Sequence, residues 1–277
     1  MLYKNKLKNY IPVAAFTLLA SCNNTTEKNI SHMEPKLNES NITYKIDSLT
    51  MDGYIVYDEN VEGKRPGVIV VHEWWGLNDY TRMRARELAK LGYIAMAMDM
   101  YGNGQRAESP DSAGKLATPF YMNPEMAKKH FDAALYRLKI QPQTDTSRIG
   151  GIGYCFGGGM LLNFARMGTD LKGIVSFHGS LIGTPADKNL LKAQLLVLHG
   201  ADDKFVPESE VAAFKKQMDS IGANYNFIAY PGATHAFTNP NATAVGEKYK
   251  IPIAYNAAAD TASWKAMKEF FEKVFKK

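Results

Sequence analysis

The chain has 277 residues, 45% apolar and 22% charged, the balance of an ordinary globular protein with room for one large α/β domain or two small ones. The formal charge is +5, but Lys4, Lys6 and Lys8 lie in the first 21 residues, which hold no acid; without that segment 30 basic side chains face 28 acidic ones, a net +2. That balance, with no Lys/Arg cluster among aromatics, gives no case for nucleic acid as a partner, and no apolar run of about 18 residues follows the N-terminus to span a membrane.

Residues 1–22 read as a leader. Lysines come first, then the apolar run "IPVAAFTLLA", then "SC", the parts of a secretory signal. The ending "LASC" resembles a bacterial lipobox, which makes Cys22 the lipidated N-terminus of an exported, membrane-anchored lipoprotein facing periplasm or cell surface. Residues 23–41 are polar and read as a flexible tether. Residues 42–277 then read as one domain. With Cys22 lipidated, Cys155 has no disulfide partner within the chain; a leftover thiol in an exported protein points to intermolecular pairing or a reactive thiol, and the oxidising compartment favours a use for it.

From Ile42, "ITYKID" and "GYIVYD" alternate apolar and polar residues around "MDG" and predict a β-hairpin. "GVIVVH" is a continuous apolar run, as in a strand covered on both faces. "YTRMRARELAKLG" has helical period with Gly92 as its stop, and "YIAMAMD" is the next buried strand. Residues 101–123, with Gly, Pro, Ser and Asn, read as an irregular excursion. "PEMAKKHFDAALYRL" puts 127, 131, 134, 135 and 138 on one helical face. Strand "RIGGIGY", helix 156–167, strands "KGIVSFH" and "AQLLVLHG", helix "SEVAAFKKQMDSIG", strand "NYNFIAYP" and a helix at about 258–275 complete the series. The alternation predicts an α/β fold: a mostly parallel, twisted sheet of about eight strands with helices on both faces.

"GYCFG" places Cys155 between a strand and a helix, with glycines two residues before and after. This is the G-x-S-x-G nucleophile elbow with cysteine in the serine position. The tight corner leaves no room for Cβ atoms at the glycines. Cys155 sits at the N-terminus of the following helix, where the dipole and unpaired N–H groups favour a thiolate, and the Phe156 N–H points the same way for an oxyanion. Further along, "LLVLHGADDKFVP" brings Asp202 and Asp203 to the end of a strand, and "YPGATHAF" puts His235 in the loop after the last one. Nucleophile, acid and base therefore follow in α/β-hydrolase order. His72, His130, His178 and His199 read as hydrogen-bonded structural histidines, and no spacing among them makes a metal site.

"VHEWWGLNDY", "GYCFGG", "HGADDKFVP" and "YPGATHAF" together resemble the dienelactone hydrolase family, from about residue 42 to the C-terminus. The resemblance implies the α/β-hydrolase fold and cleavage of an ester or lactone through a thioacyl intermediate. It implies Cys155 as nucleophile, His235 as base, and Asp203, three residues before the Val-Pro, as the orienting acid. It also implies Glu73 as the carboxyl beside the resting thiol and the Trp74 N–H as second oxyanion donor. Neither cofactor nor metal is implied, and a monomer is expected. Where dienelactone-cleaving members carry a carboxylate-gripping arginine four residues after the histidine, this chain has Asn239; no arginine falls between 107 and 136, leaving Arg106 or Lys115 as substitutes. The competing readings are a thiol redox sensor at Cys155 and a non-catalytic, lipid-anchored binding protein on a hydrolase scaffold.

Overall fold

The structure, a computed structural model, describes residues 1–2 and 34–276. The chain divides into two units, Met1–Glu34 and Pro35–Lys277, and the second holds every helix and strand among the described residues. Cys22 and most of the leader and tether lie outside the described residues.

β1 (Leu37–Ile46) and β2 (Leu49–Asp58) pair antiparallel through a turn at Asp47–Ser48, with Asp47 at φ +52°. Two expectations are corrected here. Residues 37–41, assigned to the tether, are ladder residues, Leu37 opposite Asp58 and Asn41 opposite Tyr54. "MDG" is not the turn, since Met51 and Gly53 lie within β2. Both errors have one cause. β1 is an edge strand whose Glu39, Ser40 and Asn41 face solvent, so its backbone ladder leaves little apolar pattern.

β3 (Arg65–Val71), α1 (Asp79–Lys90) and β4 (Ile94–Met98) follow, α1 being capped by the Asn78 side chain, which accepts from the Thr81 N–H. The expected irregular stretch 101–123 instead contains α2 (Pro110–Met122). Ser109 and Ser112 form a reciprocal capping box, Pro110 begins the helix, and Ala113, Ala117 and Phe120 form its buried face. Gly114 and Pro119 within it hide the pattern, because both are poor helix formers.

Next come α3 (Pro124–Lys139), β5 (Thr144–Tyr154), α4 (Phe156–Arg166), β6 (Gly173–Phe177), β7 (Gln194–Gly200), α5 (Glu208–Ser220), β8 (Tyr225–Tyr230), α6 (Ala242–Tyr249) and α7 (Ala257–Val274). The sheet order is β1-β2-β4-β3-β5-β6-β7-β8, antiparallel at β1–β2 and β2–β4 and parallel in every other pair.

β3 shows why its sequence is a continuous apolar run. Ile69 and Val71 join the core with α2, α3, α4 and α5, while Val68 and Val70 join the core with α1 and α7; all four are fully buried. Each such side chain contributes about 1.5–3 kcal/mol relative to exposure, so both helical layers hold the sheet. The parallel strands end on one edge, and the loops leaving β3, β5, β7 and β8 there carry the candidate residues.

Candidate active site

Between β5 and α4 there is one residue, Cys155, at φ +52° and ψ −114°. A non-glycine residue rarely adopts that backbone, and holding it there costs about 1–3 kcal/mol. The surroundings impose it. A Cβ on Gly153 would fall against the backbone of Gly157, and a Cβ on Gly157 against the carbonyl oxygens of Val71 and His72. The Gly157 N–H donates to His72 O at 3.1 Å, and the Cys155 N–H is shared between Phe177 O at 3.0 Å and His178 Nδ1 at 3.1 Å. Neighbouring strand ends thus pin the corner and leave the thiol partly exposed on its tip.

Asp203 follows β7. Its Oδ1 accepts from the N–H groups of Phe205 (2.8 Å) and Val206 (3.3 Å), which aims Oδ2 at His235 Nδ1, 2.8 Å away. Asp202 is exposed, so Asp203 is the aspartate that meets the imidazole. Burial is the largest single influence and draws the His235 pKa down, but the charge of the Cys155 sulfur, hydrogen bonds to Asp203 and Cys155 and the Asp203 charge together outweigh it, and the pKa rises to about 10. An imidazolium next to sulfur with a carboxylate behind it is the charge pattern of a nucleophile–base–orienter set.

Glu73, just beyond β3, is only 2% exposed. Burial raises its pKa to about 7, against the lowering effect of a 2.7 Å hydrogen bond from Asn239 Nδ2 to Oε2. The side-chain hydrogen bond of Glu73 thus goes to the residue at the expected arginine position. His72 holds the Glu73 backbone. Its Nε2 accepts from the Met100 N–H at 3.1 Å, so the proton lies on Nδ1 and is donated to Glu73 O. The Tyr101 hydroxyl donates to Trp74 O at 2.8 Å and fixes the next peptide. The N–H groups of Trp74 and Phe156 have no hydrogen-bond partner among the described residues.

Glu73, Trp74, Cys155 and His235 line one cavity of about 270 Å³, with Trp75, Tyr121, Phe205, Ile251 and Ile253 among its other walls. Asp203 sits behind His235, and the Phe156 ring packs inward against Tyr101 and Phe120. Arg106 and Lys115 do not line the cavity.

His178 is the residue whose part the spacing does not reveal. Burial and the nearby His235 charge hold it neutral, well below the usual imidazole range. Since Nδ1 accepts from the Cys155 N–H, Nε2 carries the proton and donates to Thr238 Oγ1 at 2.7 Å; that oxygen lies 2.6 Å from the Tyr80 hydroxyl. The elbow backbone is therefore tied through a neutral histidine to the loop that carries His235. Thr238 is 60 residues from His178 in sequence, a separation that leaves no local signal.

The dienelactone hydrolase family model matches residues 51–275. Protein usf of Aquifex pyrophilus is 33% identical over 196 residues, covering 69% of this chain and 84% of that protein. A protein of Methylorubrum extorquens, provisionally described as a carboxymethylenebutenolidase, is 27% identical over 220 residues, covering 76% and 72%. Among solved structures, a dienelactone hydrolase-like promiscuous phosphotriesterase from metagenomic libraries, P91, superposes with a TM-score of 0.82 at 34% identity, covering 87% of this chain and 99% of that one. With the family match spanning most of the folded unit, this chain belongs to the dienelactone hydrolase family and is an ester- or lactone-cleaving enzyme of the α/β-hydrolase fold.

Proposed function

We propose that Cys155 is the nucleophile of this hydrolase, with His235 as acid–base and Asp203 as its orienter. The observation that carries the reading is the meeting of the elbow thiol with an imidazole whose other nitrogen is 2.8 Å from a buried carboxylate, at the wall of a cavity. The Cys155 thiolate attacks the substrate carbonyl and forms a C–S bond, and the carbonyl electron pair moves to oxygen. The N–H groups of Trp74 and Phe156 hold that oxyanion, each worth about 2.7–4 kcal/mol in comparable sites. Collapse breaks the ester C–O bond, and the imidazolium of His235 protonates the departing alcohol. Water then attacks the thioester as His235 takes its proton; collapse expels the thiolate and releases the acid. Thiolate leaves more readily than amine, so esters and lactones, not amides, are the substrates. Glu73, beside the thiol's cavity and hydrogen-bonded to Asn239, holds a proton reserve near the sulfur.

A purified full chain given p-nitrophenyl acetate and small lactones is expected to turn them over, and His235→Ala to trap an acyl adduct on Cys155 visible by intact mass. No turnover across an ester panel, with rapid sulfenic acid formation at Cys155, would replace this reading with the redox one. P91's description as a phosphotriesterase supports a second substrate class for the same thiol and oxyanion donors, tested with paraoxon. We further propose that the enzyme is exported and held at a membrane through lipid on Cys22.

A further inference from the structure

The cavity offers an entering anion no cation to spare. No lysine or arginine is among the described residues lining it, and Glu73 is the carboxyl that does. The imidazole of His235 is already engaged by Asp203 at 2.8 Å. Arg84 is near enough for its charge to act on Glu73, but it is 4% exposed and committed elsewhere: to Asp260 at 2.5 Å, Glu87 at 2.9 Å and the Thr238 carbonyl at 2.6 Å. Asn239, at the position where an arginine was expected, lines a separate recess and gives its amide to Glu73. Lys248 lines the same recess, beyond Trp75. Glu210, held by Ser180 and the backbone of Leu181 and Ile182, is a second carboxyl, behind the Ser180 wall. The remaining walls are aromatic or aliphatic.

A carboxylate entering this space would shed its water, meet no lysine or arginine, find the one cation, the His235 imidazolium, already paired with Asp203, and face Glu73. Burying an unpaired charge is among the most costly events in a protein interior, whereas an alkyl or aryl chain gains by leaving water. We infer that the site accepts esters and lactones whose acyl part is uncharged and apolar, and rejects those whose acyl part carries a carboxylate. The inference rests on the hydrolase reading above.

Two substrates of matched length test it: p-nitrophenyl hexanoate and mono-p-nitrophenyl adipate, which differ by a terminal methyl against a carboxylate. For the full chain, kcat/KM for the hexanoate is expected to exceed that for the adipate at least about tenfold. Phe205 lines the cavity and is 45% exposed, so a guanidinium there keeps its hydration. Phe205→Arg is therefore expected to narrow the ratio at least about threefold at low salt, with the effect shrinking as salt rises. Equal kcat/KM for the two esters in the wild type, or a preference for the adipate, overturns the inference and leaves the hydrolase reading intact. If neither ester is hydrolysed faster than by Cys155→Ala, the hydrolase reading fails and the inference falls with it.

Discussion

Glu73→Gln separates the charge of the buried carboxyl from its shape. The glutamate is 2% exposed, and burial lifts its pKa to about 7 from an ordinary 4.5. The folded state thus holds the proton more tightly than the unfolded chain between those values. Stability from this group is intact below the unfolded pKa, falls as pH rises between 4.5 and about 7, and stays low above. A shift of that size corresponds to about 3 kcal/mol, the cost of burying the carboxylate. Glutamine cannot ionise, yet its amide oxygen still accepts from Asn239. Urea unfolding followed by tryptophan fluorescence should give the variant and wild type nearly equal stability at pH 4.5, with the variant about 3 kcal/mol more stable at pH 8. The stability contributed by His235 is lost over a higher window, as pH rises from 6.5 through about 10. A difference between the two proteins that does not change with pH would refute the reasoning.

Asp203→Asn should lower kcat for p-nitrophenyl acetate roughly a hundred- to ten-thousandfold with KM little changed, because the imidazole loses both its orienter and its charge partner. In Thr238→Val, His178 Nε2 loses its partner; about tenfold lower kcat at unchanged KM, with about 1–3 kcal/mol less stability in urea, is the expected outcome, and an unaltered kcat would remove His178 from the positioning of the elbow. Gly157→Ala drives a Cβ into the carbonyls of Val71 and His72, so a loss of about 1–3 kcal/mol or failure to fold should appear by thermal melting. Cys22→Ser should abolish incorporation of labelled palmitate in cells; persistent labelling would place the lipid elsewhere.

Legibility along this chain follows the local physical cause. β3 and β4 read clearly because each is covered on both faces, which demands side chains apolar at nearly every position. The elbow read clearly because backbone crowding at Gly153 and Gly157 admits only hydrogen as a side chain. β1 began earlier than its alternation indicated, since an edge strand exposes one side and owes its form to a partner's backbone. α2 was hidden because capping by Ser109 and a three-residue apolar face outweighed Gly114 and Pro119, a balance visible only in the packed molecule.

Apart from α2 and α6, the order of strands and helices, the residue on the elbow tip, and the sequence of thiol, carboxylate and imidazole were all written locally, in periodicity and turn chemistry. Which atoms meet was decided by the packed sheet: Asp203 with His235 across 32 residues, and Asn239 with Glu73 across 166. The reason is that strand order, here β4-β3-β5-β6-β7-β8, brings distant loops to one edge, and no short window of sequence carries the distance between two loops or the charge that one leaves unpaired in the other's cavity.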